Sequence, residues 1–262
     1  LQQAFNSYST AYDEHFTNTP IGRLQRSRVH YYLKPLLNKW QHVLELNCGT
    51  GEDANYISQY VKSVDATDLS EGMIEMAKLK CKKSNITFRV CSIQNIQSFT
   101  KAKSYDFIFS DFGGINCLSP CALKKCSKDL YEMTNFNGHI TFVVMGRRCI
   151  WERLYFFLKR KLEAASRRSL PWGVFTWIGE SAFTTYYYSP REIKKIFKNH
   201  FELQYCRPVG MFIPPSYLNE YFSNKGWLLS ILNFMERIVG GLPFLSNYSD
   251  HYLIVMKRKE VV

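Results

Sequence analysis

From residue 42 onward the chain alternates short apolar runs with amphipathic stretches, and nothing else constrains its fold as tightly. Runs at 42–46, 63–67, 86–90, 105–110 and 139–145 have the length and composition of buried strands. Helical patterns at 52–60, 71–82 and 123–135 lie between them. Such alternation predicts a parallel sheet with helices on both faces. Two further strand patterns, 201–212 and 251–257, bring the expected sheet to seven strands. At 262 residues the chain suits one large α/β domain with insertions better than two independent folds.

The remaining segments decorate that core. Residues 1–40 read as helical, with a break at Thr19-Pro20, because Phe5, Tyr8, Tyr12 and Phe16 recur at helical spacing. Residues 149–166 read as one basic, aromatic-rich helix, and 171–189 as an irregular stretch rich in Gly and aromatics. Ser189 is the expected N-cap of a helix over 190–198, with Pro190 just inside its start. Residues 227–239 carry a broad apolar face that includes Trp227, Ile231, Phe234 and Ile238, opposite Ser230, Asn233 and Arg237. That face is expected to pack inward. The expected organisation is a single domain, 1–262: cap helices 1–40, a ligand-binding core 41–145, lid insertions 146–189 and 213–248, and closing elements 190–212 and 249–262.

An apolar content of 46% excludes a disordered or collagen-like chain. The net charge of +12 favours an anionic partner without choosing among nucleic acid, an acidic carrier protein, a phosphorylated substrate and an acidic membrane surface. Eight scattered cysteines do not form a disulfide framework. Cys117, Cys121 and Cys126 match neither paired CxxC zinc spacing nor CxxxCxxC, so reduced thiols and no metal are expected. No apolar stretch reaches the roughly 18 residues of a membrane span, although peripheral membrane contact through 227–239 stays open. No charged-then-apolar leader is seen, Leu1 is not a natural start, and a cytoplasmic location is the expectation.

The chemistry is concentrated in Val43-Leu44-Glu45-Leu46-Asn47-Cys48-Gly49-Thr50-Gly51-Glu52-Asp53-Ala54, a strand running through a glycine turn into a helix. Free backbone N–H groups and glycines at such a junction let a ligand approach the main chain. Gly-x-Gly-x-x-Ala alone also fits a dinucleotide fingerprint. Glu45 argues against one, because its carboxylate suits a ligand's ammonium group and repels a pyrophosphate. Asp68, at the end of the second strand, stands where a carboxylate receives ribose hydroxyls. A helix then opens Asp68-Leu69-Ser70-Glu71-Gly72-Met73-Ile74-Glu75-Met76-Ala77.

In these two motifs the sequence resembles the class I S-adenosylmethionine-dependent methyltransferases, small-molecule type, over roughly residues 1–145, and the tail from Asp250 to Val255 fits their last strand. The resemblance implies a Rossmann-like three-layer sandwich, a mostly parallel seven-stranded sheet with an antiparallel last strand. It further implies that Glu45, Asn47, Cys48, Gly49 and Gly51 hold the methionine end of the cofactor. Asp68 would bind the ribose, Leu69 and Met73 the adenine, and Ser92 and Ile93 the adenine amino group. Asp111 and Phe112 would face the methyl-transfer gap, and Tyr12, then Tyr8, would close over the sulfonium. Two residues depart from the family pattern. Asn47 replaces a glycine, tolerably because Asn accepts left-handed backbone angles, and Ser92 replaces an aspartate.

The Asn/Asp-Pro-Pro-aromatic motif of base-methylating enzymes is absent after the fourth strand, so nucleic acid is an unexpected substrate. The aromatic composition of the insertions points to an aromatic-walled acceptor pocket. Arg23, Arg26, Trp177, Tyr186 and Phe212 are the substrate-binding candidates, and no general base is assigned, His15, His30 and the lid tyrosines being open. The expected activity is methyl transfer to an oxygen or nitrogen, a carboxylate included, on a small, partly apolar or aromatic metabolite, releasing S-adenosylhomocysteine. Three alternatives stay open: an acyl group tethered to an acidic carrier protein as substrate, a non-catalytic partner protein with this fold, and an NAD(P)-dependent oxidoreductase.

Overall fold

The computed structural model describes residues 1–100, 104–179 and 181–260, the side chains of 99 and 100 excepted. Six positions spanned by the expected organisation, Lys101, Ala102, Lys103, Glu180, Val261 and Val262, lie outside the described residues. In chain order the helices are α1 (Gln2–Tyr8), α2 (Pro20–Leu33), α3 (Glu52–Ile57), α4 (Glu71–Lys80), α5 (Ile96–Thr100), α6 (Pro120–Met133), α7 (Ile150–Leu158), α8 (Leu162–Ser166), α9 (Pro190–Phe197), α10 (Asn219–Phe222) and α11 (Gly226–Ile238). The strands are β1 (His42–Leu46), β2 (Ser63–Asp68), β3 (Ile86–Val90), β4 (Tyr105–Ser110), β5 (Thr134–Met145), β6 (Val174–Ile178), β7 (Ser181–Thr185), β8 (Phe201–Val209) and β9 (His251–Arg258).

Seven strands form one sheet in the order β3-β2-β1-β4-β5-β9-β8. The pairs from β3 to β5 are parallel, and β9 runs antiparallel to both β5 and β8. Strict alternation sorts the side chains into two layers. Leu44, Ile108, Tyr252 and Ile254 join Leu123, Leu130, Ile193 and Phe197 beneath α6 and α9. Val43, Phe107, Phe109, Leu253 and Val255 join Val29, Leu33, Ala54, Ile57 and Ala77 beneath α2, α3 and α4. The expected three-layer Rossmann-like sandwich is therefore the observed one.

Several boundaries follow from local chemistry. Thr19 caps α2 by accepting a hydrogen bond from Gly22 N at 3.0 Å, with Pro20 at the first helical position. Ser189 and Glu192 close a full capping box on α9. The single helix expected over 149–166 is two, because the chain turns through Arg160 at φ 55° between α7 and α8. The stretch read as irregular holds the hairpin β6–β7, in which Val174 pairs with Thr185 and Ile178 with Ser181. The long strand expected to reach residue 212 stops at Val209, where Gly210 takes φ 71°.

The orientation of α11 is the largest correction. Most of its broad apolar face points outward: Trp227, Ile231, Phe234 and Ile238 are all exposed, while Leu228 and Leu232 pack inward. Glu236 sets this rotation. Fully buried, it accepts hydrogen bonds from Gly210 N at 3.0 Å, Phe212 N at 2.7 Å and Ile213 N at 3.4 Å. A carboxylate satisfying three turn N–H groups outweighs the burial of one more apolar side chain, since each unmet buried donor costs about 1–3 kcal/mol.

The sheet direction decides where the insertions sit. Met145 at the end of β5, Val209 at the end of β8 and His251 at the start of β9 are register partners. Both insertions, 146–189 and 210–250, consequently leave from the edge at which β1, β2 and β4 also end. Buried ion pairs fasten the first insertion there. Arg168 donates to Glu152 Oε2 at 2.9 Å and to Asp250 Oδ1 at 2.8 Å, and Arg167 holds the other oxygen of Glu152 at 2.8 Å.

Candidate active site

At this edge the turn after β1 bends through three positive φ angles, Asn47 at 50°, Gly49 at 52° and Gly51 at 81°. Asp68 braces it: Oδ2 accepts from Gly49 N and Oδ1 from Ser70 N, both at 2.9 Å. Asn47, in the position where a glycine is usual, links the turn to the end of β4 by donating to Asp111 O at 2.6 Å and accepting from Ser110 Oγ. This brings its amide against Gly114, where an added Cβ would lie 1.9 Å from Asn47 Oδ1. Only glycine fits there.

Over the turn lies a mostly apolar cavity of 490 Å³, within the range of about 300–1,000 Å³ typical of small-molecule sites. Asn47, Gly49, Asp68, Leu69, Met73, Ser92 and Ile93 line one end, with Gln94, which sequence reasoning missed. The chain turns back at Ser92, whose Oγ accepts from Gln94 N, and this local cap was a readable signal. Tyr12 and Phe112 wall both the cavity and the recess beside it, and Gly113, Cys117, Met145, Thr176, Phe183, Thr185 and Tyr187 complete the cavity's lining.

The N-terminal segment is pinned over the turn from three directions. Asn6 Oδ1 accepts from Ser70 Oγ at 2.6 Å, Asp13 accepts from Thr50 Oγ1 at 2.7 Å, and Lys80 reaches Asp13 at 2.7 Å. These contacts hold Tyr12 within 3.9 Å of the position a Gly49 Cβ would take. Burial raises the Tyr12 phenol above its ordinary value, so it keeps its proton.

A smaller polar recess of 20 Å³ adjoins the cavity, walled by Tyr12, Arg26, Asn47, Cys48, Gly49, Asp53, Asp111 and Phe112. Beside it the α2/α3 face of the sheet carries the buried acids Glu45, Asp53 and Asp111. Burial opposes ionisation of Asp53, but Arg26, 3.3 Å away, and then His30 at 2.7 Å hold it at about 2. Burial pushes Glu45 and Asp111 well above the usual carboxylate range, and the charge of Asp53 adds to it. Glu45 Oε2 and Asp111 Oδ2 have no hydrogen-bond partner. The cluster thus sets three acids around one guanidinium, with Glu45 Oε2 left without a partner.

Several candidates fall elsewhere. Glu45 and Gly51 line neither the cavity nor the recess: Glu45 is buried at the end of β1, and Gly51 packs toward Ala77 and Phe88. Cys48 and Asp111 line the recess, and Tyr8 stacks on His15 away from both. Arg23 is exposed, whereas Arg26 is buried in the recess. Trp177, Tyr186 and Phe212 do not line the cavity; Trp177 is 68% exposed. Aromatic size was the wrong signal. Alternation along β6 turns Phe175 and Trp177 outward and Thr176 inward, and Phe183, Thr185 and Tyr187 complete the inner face. Asn116 was missed as well: fully buried, it donates to Tyr186 O at 2.6 Å and accepts from Met145 N at 2.9 Å, docking the hairpin to the sheet.

Residues 43–138, which contain both motifs, match a family profile described as a methyltransferase domain. Malonyl-[acyl-carrier protein] O-methyltransferase of Priestia megaterium is 27% identical over 231 residues, covering 81% of this chain and 77% of that protein. The Bacillus cereus enzyme of the same name is 27% identical over 172 residues, 62% of this chain, and the match spans 59% of that relative's length. The N-methyltransferase NodS of Bradyrhizobium japonicum, solved with S-adenosyl-L-homocysteine, superposes with a TM-score of 0.55 at 13% identity, over 93% of this chain and 90% of that one. Residues 43–138 are a methyltransferase domain, and the fold that surrounds them is that of the class I S-adenosylmethionine-dependent methyltransferases.

The residues of this methyltransferase fit the family's cofactor on the observation of the orphaned Glu45 Oε2, a buried acceptor with no donor beside a turn whose glycines leave room for a ligand. A cationic ligand group placed beside Glu45 would return it to its ionised form and release a proton. The affinity for S-adenosylhomocysteine, which keeps the ammonium, is therefore expected to rise with pH until Glu45 is ionised without ligand, and to level off above. Glu45→Gln should flatten that rise and weaken binding about tenfold or more, the worth of a charge-assisted hydrogen bond. Calorimetry at several pH values in two buffers of different ionisation enthalpy counts the proton. An affinity that falls with pH, or no proton released, would contradict the assignment.

Proposed function

We propose that the chain transfers a methyl group from S-adenosylmethionine to an oxygen or nitrogen of a small, partly apolar acceptor, and that the acceptor atom is a carboxylate oxygen. Bound, the cofactor supplies a methyl group on a positively charged sulfur. Arg26 takes its carboxylate in the polar recess, and Glu45 with Asp111 its ammonium. Asp68 accepts the ribose hydroxyls, while Leu69, Met73, Ser92, Ile93 and Gln94 enclose the adenine. Tyr12 and Phe112 exclude water from the reacting atoms, and Phe183, Thr185 and Tyr187 hold the acceptor for in-line attack.

One observation supports the carboxylate. The titratable side chains on the cavity wall are Tyr12, Asp68, Cys91, Cys117 and Tyr187. Burial raises both tyrosines and both thiols, Cys117 to about 12, so all four stay protonated at neutral pH. Asp68 is committed to two backbone donors. His15 and His30 are held elsewhere, by Tyr8 and Asp53. An acceptor in this cavity must be nucleophilic as it arrives, and a carboxylate is.

A second reading, an acyl carboxylate tethered to an acidic carrier protein, is supported by the names of the Priestia and Bacillus relatives and by the net charge of +12. Transfer of labelled methyl from S-adenosylmethionine tests both. Base-labile label on free carboxylic acids supports the first, and transfer to a malonyl-carrier protein alone, weakening steeply with salt, supports the second. Label accepted only by phenols or amines overturns the carboxylate assignment. Cofactor binding without transfer to any acceptor would favour a non-catalytic partner, and binding of a nicotinamide cofactor instead would favour an oxidoreductase.

A further inference from the structure

Among the described residues, all large exposed apolar side chains except Leu1, Tyr31, Trp40, Leu79, Val90 and Phe136 lie on the two insertions. They are concentrated on two helices. On α7, Leu154, Phe157 and Leu158 are 51%, 62% and 72% exposed, and on α11, Trp227, Phe234 and Ile238 are 68%, 63% and 64% exposed. The helices belong to one body, since Trp151 and Tyr155 of α7 and Leu228, Leu229 and Leu232 of α11 pack in a shared cluster with Ile21 and Phe222. Neither outward face is an accident of loose packing. Each helix is pinned by a buried glutamate, Glu152 in α7 and Glu236 in α11, so turning the apolar face inward would strand a carboxylate's partners.

Charge identifies what covers this surface. Around α7 and α8 the exposed side chains include Arg148, Arg153, Lys159, Arg160 and Lys161 against the single exposed acid Glu163. An open apolar groove of 580 Å³ runs between these helices, lined by Ile150, Arg153, Leu154, Phe157, Ala165 and Ser166. Apolar and aromatic residues bordered by cations are the composition of an interfacial membrane anchor. A second copy of a chain with charge +12 would set like charges against each other at this rim. A folded acidic protein would meet the rim and leave the apolar centre to be matched. A bilayer with anionic lipids satisfies both.

We propose that the insertions form an interfacial anchor that seats the chain on an anionic membrane, α7 and α11 entering the headgroup–acyl boundary. Among the described residues no helix is long and apolar enough to cross a membrane, so the anchor rests on the surface. Both insertions spring from the sheet edge that holds the active site, so anchoring brings that edge to the lipid. The proposal goes beyond the acceptor reading and is tested without cofactor or acceptor.

The experiment is flotation of the whole chain with vesicles of phosphatidylcholine alone, or with about one-third phosphatidylglycerol, at low and high salt. The wild type should float with the anionic vesicles, less so in high salt, and not with neutral ones. Phe157→Glu with Phe234→Glu should lower the fraction bound roughly tenfold. Arg153→Glu with Lys161→Glu should do the same for anionic vesicles. Both variants should keep the wild-type melting temperature and affinity for S-adenosylhomocysteine, which separates lost docking from lost folding. Wild type that ignores anionic vesicles overturns the proposal, as does an apolar variant that binds them unchanged. If the apolar variant instead dissolves a dimer in light scattering, or abolishes binding to an acidic carrier protein that wild type holds, the surface belongs to that partner and the membrane proposal fails.

Discussion

Arg168→Met should destabilise the fold by about 3–5 kcal/mol, the cost of removing one partner from a buried ion pair. The arginine is 7% exposed at its side chain, and the two carboxylates it joins, Glu152 and Asp250, are 2% and 3% exposed. It also donates to Asp250 O at 3.1 Å and Gly146 O at 3.4 Å, so one substitution takes a donor from two acids and two carbonyls, with Arg167 left on Glu152 and Gln25 and His251 left on Asp250. For a chain of this size the melting temperature should fall by roughly 10 °C. The sign with pH is fixed by Asp250. Burial opposes its ionisation, but His251 and Arg168 depress its folded value below the unfolded one. Its contribution is therefore present above the unfolded value near 4 and lost as pH falls through the folded value. The deficit of Arg168→Met should accordingly shrink in acid. Adding Glu152→Leu to Arg168→Met should recover part of the loss, whereas Glu152→Leu in the wild-type background should not stabilise. Thermal unfolding of the four proteins between about pH 3 and 8 checks this. The guanidinium also lies 5.0 Å from the Tyr187 ring, so the variant's hairpin wall should loosen with it.

Asp68→Ala should weaken cofactor binding by about a hundredfold or more. Two charge-assisted hydrogen bonds to ribose hydroxyls are worth roughly 1.5–3 kcal/mol each, and every 1.4 kcal/mol is a factor of ten. The same carboxylate braces the glycine turn through Gly49 N and Ser70 N, so part of the loss comes from a turn no longer held in shape. Asp68→Asn retains one oxygen as an acceptor and should lose about tenfold. Calorimetric titration with S-adenosylhomocysteine, alongside melting curves showing a change of about 1 kcal/mol or less for Asp68→Asn, separates binding from folding. Wild-type affinity in Asp68→Ala would remove this residue from the site.

The sheet was legible because its signals are local and redundant. In β1, β3 and β4 a run of apolar residues bounded by turn residues coincides with the strand itself, and Ser189 announces a helix by side-chain capping, whereas Ser119, which caps α6 ahead of the start expected at 123, went unread. The glycine turn and Asp68 were legible for the same reason: the ligand-facing geometry is made within a few residues. The wall of the other half of the cavity was not. Which of Thr176 and Trp177 faces the cavity depends on where a hairpin docks, and that is decided by Asn116, some seventy residues away from its partner Tyr186. The outward face of α11 was illegible because amphipathic pattern records that a helix has two faces, while Glu236 decides which one turns in. Arg26, named from the sequence as a substrate-binding candidate, is buried in the recess because Asp53, on another helix, pairs with it, and that pairing could not be read from spacing.

The central claim is that a single ligand spans the polar recess and the glycine turn, with its ammonium at Glu45 and its sugar at Asp68. Crystals soaked in S-adenosylhomocysteine test it most directly. Density for the homocysteine nitrogen within hydrogen-bond reach of Glu45 or Asp111, and for both ribose hydroxyls at Asp68, is the expected result. A vacant recess, or a dinucleotide whose pyrophosphate occupies the turn, would contradict the account.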